Sequence, residues 1–394
     1  MEKGISDKIP SVLRRQARKL ANYHLFDVGA QARIGQYLLL SLVISAALTG
    51  QSLEYRALSH ADFTSDIVFH HLNNKVSVES AENLLNSFVS RRDMKLLRRR
   101  FGGRRVCVAI DFTDEMFYGE KGTFGVVGTK RNKGTNHAFK YMTVNIVTPR
   151  GRFFIWAYPM FDRKETLWLL NKALMKIEEL GIGVHLLLLD REFNYTDALA
   201  LIGEKYRYII PADQDSKFKR YSDGIKLPAY CADWQIANKE KETAVTQLII
   251  LEEEGHRYGY LTNLPKKLFE DDMHILSELY GKRWGIETAH RGEDAYRIYT
   301  TCKKAEIRYL FFVFSVLLYN LGIWLNLFFF FGSETASITI AMLKDLGRQV
   351  FEEFFLWLRQ PQRWFSMQAV GNTWRGHFAC FSEGWRSASP AAGE

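Results

Sequence analysis

The chain has 394 residues, 47% of them hydrophobic and 14% aromatic, enough to bury a substantial core and far from the composition of a disordered protein. Fifty-three Lys and Arg against forty-four Asp and Glu give a formal charge of +9 and a pI near 9.2, which suits polyanionic partners such as nucleic acid or an acidic membrane surface. The four cysteines (Cys107, Cys231, Cys302, Cys380) form no Cys-x-x-Cys pair and have no His at zinc-finger spacing, which argues against a disulfide framework or a zinc site and for a reducing cytosol.

Residues 1–100 read as a helical N-terminal domain, a small bundle that serves either DNA binding or packing, with no specific helix-turn-helix signature. The opening, MEKGISDKIPSVLRRQARKL, lacks the apolar core of a secretory signal. Ala32 to Thr49 is a mostly apolar run closed by Gly50, and Ser80 to Val89 carries Leu84, Leu85, Phe88 and Val89 at helical spacing. Two basic clusters stand out, Arg14, Arg15, Arg18 and Lys19, then Arg98, Arg99, Arg100, Arg104 and Arg105; a solvated helix face or a phosphate-binding surface explains either.

From Arg104 the pattern turns to strands. RVCVAIDF is apolar and β-branched, and HAFKYMTVNIV and RFFIWAYPM flank Pro149-Arg150-Gly151 as a hairpin. A helix over Lys164 to Leu180 ends at Gly181. VHLLLLD, Val184 to Asp190, is a short buried strand, followed by a helix over Thr196 to Lys205 and a strand YRYII. Three strands, helix, strand, helix, strand imply an α/β fold with a mixed sheet flanked by helices. The first three strands form a meander, and the later ones join through right-handed crossovers. If the fourth strand lies parallel to the first, Asp111 and Asp190 emerge at one edge.

Residues 212–260 read as a β-rich insertion that interrupts the sheet pattern, with TAVTQLIILEE and RYGYLTN as strands. A helix follows over 271–299, and residues 331–394 form a helical tail suited to multimerisation. Between them Leu310 to Phe331, LFFVFSVLLYNLGIWLNLFFFF, is uncharged over twenty-two residues. Its length qualifies it as a membrane span. As a buried core helix it requires internal partners for Asn320 and Asn326. Packing behind an active-site helix favours the core reading, with no membrane.

Phosphodiester cleavage requires an activated oxygen nucleophile, a stabilised leaving oxygen and neutralised charge. Two divalent ions about 3.5 to 4 Å apart supply all three, held by carboxylates. Asp111 and Asp190 each end a buried apolar run. Either alone reads as a strand-end or capping residue, whereas the pair on adjacent strands reads as a metal site. Nearby Asp114 and Glu115 are alternatives to Asp111. Tyr280, Arg283 and Glu287 fall at i, i+3 and i+7, one stripe of the expected helix; a plain Arg283–Glu287 surface ion pair is the bland alternative.

These residues resemble the DDE transposases of prokaryotic insertion sequences, in the group with a Tyr-x2-Arg-x3-Glu-x6-Lys signature. Tyr280, Arg283 and Glu287 match in order and spacing, AIDFT resembles the stretch at the first acid, and LLLDREF that at the second. GYLTNLP and YNLGIWLN resemble the flanking strand and helix, and the likeness spans roughly residues 104 to 330. It implies a ribonuclease H-like catalytic domain over 101–330 with a β-rich insertion. The catalytic and metal-holding residues would be Asp111, Asp190 and Glu287, with two Mg²⁺ ions, or Mn²⁺ as substitute, as cofactors. The activity would be nicking at element ends followed by attack of the 3′-hydroxyl on target DNA. Tyr280 and Arg283 would hold phosphate, and Trp234 in the insertion is the candidate to stack on a flipped base. The partners implied are double-stranded DNA, as terminal inverted repeats and target, and a second copy of the chain as a DNA-bound homodimer. The location implied is a prokaryotic cytoplasm, on the nucleoid. One departure is that Asp294 stands where the signature has Lys; Arg291, one turn after Glu287, is the candidate to replace it. An inactive relative that still binds DNA is therefore the second reading, and an integral membrane protein with incidental acids the third.

Overall fold

A computed structural model describes residues 8–23, 25–26, 35–58, 64–100, 105–132, 134–148, 151–237, 242–330, 337–352 and 354. For residues 284–288 and 352 it describes the backbone alone. The helices described within residues 8–100 follow from local signals. Helices α1 (Lys8–Ala21), α2 (Gln36–Thr49), α3 (Leu53–Leu58), α4 (Ser65–Lys75), α5 (Val78–Phe88) and α6 (Arg91–Arg100) occur in order. Gly50 ends α2 in the left-handed conformation (φ 65°), which glycine adopts without steric cost. Ser77 and Ser80 cap the start of α5 reciprocally, each side chain accepting from the other's backbone N–H. The apolar faces of these helices share one continuous core with the sheet and with the long helix near the C-terminus.

Nine strands form a single sheet: β1 (Val106–Met116), β2 (Val126–Asn132), β3 (Thr135–Thr148), β4 (Gly151–Met160), β5 (Val184–Leu189), β6 (Tyr208–Pro211), β7 (Ala229–Ala237), β8 (Thr243–Glu253) and β9 (His256–Thr262). The order runs β2-β3-β1-β5-β6-β9-β8-β7, and β4 also pairs with β3. β3 takes β1 on one side; on the other, its first residues pair with β2 and the remainder with β4. The meander of three strands is thus β1, β3 and β4, with β2 added as a mostly exposed strand. β1, β5 and β6 run parallel, and Ile110 is the partner of Leu189, as the crossover rule requires.

The segment read as an insertion does not interrupt the sheet. β9 pairs antiparallel with β6, and β8 and β7 extend the same sheet outward. Tyr260 and Leu261 of β9 are buried against the sheet's two apolar clusters, so this segment builds core. A helix absent from the sequence reading, α9 (Ser216–Asp223), precedes β7, capped by Asp215, whose carboxylate accepts from the Phe218 N–H.

Helices α7 (Thr166–Glu179) and α8 (Thr196–Gly203) contribute to the larger cluster with Val108, Ile110, Leu187 and Leu189. Ala109, Leu186 and Leu188 alternate with these, as the two-residue period dictates, and meet Leu276 and Tyr280 of α10 (Ile275–Gly281). The expected single helix over 271–299 is broken: α10 stops at Gly281, residues 282–284 form a 3₁₀ turn, and α11 (Gly285–Asp294) resumes. Gly281 and Gly285 bracket the break, each about 1 kcal/mol poorer than Ala in a helix.

Helix α12 (Ala305–Phe329) contains the apolar run and is long and apolar enough to cross a membrane. It is mostly buried inside the fold, against α5, α11 and β4. Gly292 of α11 makes the approach possible, since a Cβ there would sit 2.6 Å from the Tyr319 ring of α12. Both asparagines have internal partners. Asn320 donates to the Phe154 carbonyl (2.7 Å) and accepts from the Phe154 N–H (2.9 Å). Asn326 does the same with Ile338, at 3.0 and 2.6 Å. Of the tail expected over 331–394, the described residues contain the helix α13 (Ile340–Gly347); residues 331–336, 353 and 355–394 lie outside the described residues.

Candidate active site

Asp111 lies on β1 two residues after Ala109, and Asp190 follows Leu189 at the end of β5. Because β1 and β5 are parallel and adjacent, both acids arrive at one place on the sheet face that α10 covers. Between them lies Arg283, in the 3₁₀ turn between α10 and α11. Its Nη1 is 2.7 Å from Asp111 Oδ2 and its Nη2 is 3.8 Å from Asp190 Oδ1.

Asp111 is 7% exposed and also accepts the Phe112 N–H at 2.8 Å. Burial pushes its carboxyl up to about 7; Arg283 opposes this and the charge of Asp190 reinforces it. Burial works against the charge of Arg283 too, but Asp111, Tyr280 and Asp190 outweigh it and hold the guanidinium protonated. Asp190 is the more solvated acid, with about a third of its side chain exposed.

The two alternatives to Asp111 are committed elsewhere. Asp114 accepts from Thr129 and lies 3.9 Å from Lys140. Glu115 is held by Arg308 (2.5 Å), Arg297 (3.2 Å) and the Tyr141 hydroxyl (3.2 Å). This clamp joins β1 to the segments on either side of residue 300. Close by, Glu293 of α11 is buried, and burial, then Asp294, holds its carboxyl well above the usual range.

Tyr280 does not present a phosphate-binding hydroxyl. The residue is 5% exposed, and its hydroxyl donates to the Leu189 carbonyl at 3.3 Å; the ring lies under Arg283, 5.2 Å from the guanidinium carbon. It braces the end of β5 next to Asp190. Trp234 is not an exposed stacking platform either. It is 8% exposed on β7, with Tyr221 at 5.4 Å between ring centroids and Lys217 Nζ 4.2 Å above the ring. An indole is large and apolar, and folding buries it where an apolar neighbour exists. Arg291 is exposed on α11, and Asp294 is exposed and 3.7 Å from Arg297. Glu287 lies in the first turn of α11, the element after Arg283; its side chain lies outside the described residues. Among the described residues no three His, Cys, Asp or Glu side chains gather to form a metal-binding group.

Sequence reasoning missed three neighbours. Lys140, inside the apolar β3, is 2.7 Å from Glu192. Arg152 on β4 is buried and donates to the backbone carbonyl of Lys282, directly before Arg283. His290, its ring 5.6 Å from Phe154, has both ring nitrogens sealed from solvent without a hydrogen-bond partner. Burial, then Arg283, lowers it to about 4. The first two could have been flagged as lone cations inside apolar strands, which are seldom buried without a specific partner.

No protein-family model matches the sequence, and no curated protein matches it. Among solved structures the chain is similar to a piggyBac transposase determined by cryo-electron microscopy in a synaptic complex with hairpin DNA. The TM-score is 0.53 at 11% identity, covering 90% of this chain and 80% of that one. The two share a fold. At so low an identity it is the architecture, a large mixed sheet flanked by helices, that the likeness establishes, and the roles of individual residues rest on the geometry above.

Proposed function

We propose that this chain is a DNA transposase, cutting DNA at element ends and joining the freed 3′-hydroxyl to target DNA. The observation that carries the reading is the meeting of Asp111, midway along β1, with Asp190, at the end of the adjacent parallel strand β5, with an arginine as their shared counter-charge. Two carboxylates would repel in a largely buried site unless a cation lay between them. Their oxygens are the hard donors that Mg²⁺ prefers, so the pair fits a divalent ion. Glu287 is the proposed third ligand. The shared fold with a transposase and the Tyr280, Arg283 and Glu287 spacing support the same reading.

When bound, two Mg²⁺ ions, or Mn²⁺ in their place, would activate the attacking oxygen and stabilise the leaving one. The chain's own residues supply the frame. Asp111 and Asp190 fix the cleavage point relative to the sheet, Tyr280 braces the β5 end, and Arg283 offers a bidentate phosphate contact. The partners in this reading are the inverted-repeat ends of the element, target duplex and a second copy of the chain, in a prokaryotic cytoplasm. The more specific kinship, to the insertion-sequence group with the Tyr-Arg-Glu-Lys signature, rests on the motif alone.

Asp294 in the signature's Lys position supports a second reading, a relative that binds DNA without cutting it. The experiment incubates the purified full chain with the DNA flanking its coding region, with Mg²⁺, Mn²⁺ or chelator. The proposal expects metal-dependent nicks at inverted repeats, abolished in Asp190→Asn with DNA retention kept. Binding without nicks establishes the second reading, and nicking unaffected by Asp190→Asn overturns the assignment.

A further inference from the structure

Arg283 occupies the place between Asp111 and Asp190 that the proposed function gives to divalent cations, yet it fits that place incompletely. One Nη reaches Asp111 at 2.7 Å, the other stops 3.8 Å short of Asp190, and the buried Nε has no acceptor. A guanidinium carries five N–H donors in a planar fork, and a phosphate accepts from two parallel N–H groups along one edge of that fork. The side chain therefore has donor capacity that the carboxylates leave unused.

The backbone that bears it is fixed. Arg152 holds the Lys282 carbonyl, and the Tyr280 hydroxyl holds the Leu189 carbonyl. Arg283 can thus leave the acids by side-chain rotation, without moving α10 or α11. Nor can it stay when a dication arrives, because cations packed within a few ångströms repel strongly in a partly buried site.

We propose that Arg283 is an exchangeable counter-ion: its guanidinium fills the gap between Asp111 and Asp190 until divalent cations displace it, and it then binds a DNA phosphate. The proposal rests on reading the acid pair as the metal site. Metal binding frees the phosphate ligand and phosphate binding vacates the metal site, so each must strengthen the other by the same factor.

The test measures Mn²⁺ binding to the full chain by calorimetry and by electron paramagnetic resonance, first without DNA and then with random-sequence duplex. Arg283→Gln is expected to bind Mn²⁺ about tenfold more tightly than the parent without DNA, inside the ~5–150-fold span of typical site coupling. Duplex is expected to tighten Mn²⁺ in the parent and to leave Arg283→Gln unchanged. Arg283→Lys keeps the charge but loses the fork, so its affinity should fall between the two; it serves as the variant should Arg283→Gln fail to fold. Equal or weaker Mn²⁺ affinity in a folded variant overturns the exchange, as does equal tightening by duplex in parent and variant. Asp111→Asn separates the two claims. If it leaves Mn²⁺ binding intact in both backgrounds, the acid pair is not the metal site, and the proposed function falls together with the exchange.

Discussion

Asn320, in the middle of the most apolar helix of the chain, hydrogen-bonds both backbone groups of Phe154 on β4. An apolar helix that offers a polar amide to one strand residue is docked in register against that strand. Replacing the amide orphans a buried N–H and a buried carbonyl, each costing about 1–3 kcal/mol. Asn320→Leu is therefore expected to destabilise the protein by about 2–6 kcal/mol in denaturant unfolding. A loss below about 0.5 kcal/mol, the usual scale of surface substitutions, would contradict this packing.

Glu293 gives a prediction with a definite sign. Burial raises its carboxyl pKa in the fold, so the folded protein holds a proton that the unfolded chain releases. Stability from this group is full below the ordinary glutamate value and declines as pH rises above it. Glu293→Gln keeps the shape and removes the titration. Its melting temperature should match the parent near pH 4.5 and exceed it increasingly toward pH 8; an advantage that shrinks with rising pH would refute the assignment.

His290 behaves in the opposite sense. Its folded value, lowered to about 4, means the unfolded chain takes a proton first as pH falls. The stability it contributes is present above about pH 6.5 and is lost as pH falls toward 4, by up to about 3 kcal/mol. His290→Phe, which cannot titrate, should flatten the acid limb of the stability profile. An unchanged limb would show that the ring is protonated in the fold.

Trp234 separates structure from recognition. As a buried indole between Tyr221 and Lys217, its truncation to Ala should cost about 3–5 kcal/mol of stability. The affinity of the remaining folded protein for duplex should not change. Loss of DNA affinity with little loss of stability would restore the base-stacking role that the family resemblance implied.

Much of the frame was legible because burial leaves a pattern in the chain. VCVAI and VHLLLL could only be interior strands, and a parallel pairing of the two brings their acids together; the strand-end position held for Asp190 alone, since β1 continues to Met116 and Asp111 is buried midway along it. The demand that Asn320 and Asn326 find partners followed from burial alone. What stayed hidden depends on distant neighbours. β2, with its exposed Lys130, Arg131 and Asn132, has no apolar period to announce it. Periodicity could not locate the 3₁₀ turn that sets Arg283 between α10 and α11, since the stripe of Tyr280, Arg283 and Glu287 reads as helical with or without it. The extra strands looked like an interruption because a sheet's outer strands, paired antiparallel, carry the same sequence signal as a separate β unit.

The most direct measurement is a crystal structure of the full chain grown or soaked with Mn²⁺, with anomalous differences collected to locate the ion. Manganese coordinated by the carboxylates of Asp111 and Asp190, completed by Glu287, with the Arg283 guanidinium withdrawn from between them, is the result this account predicts. Manganese bound elsewhere, or Arg283 still bridging the two acids at saturating metal, would contradict it.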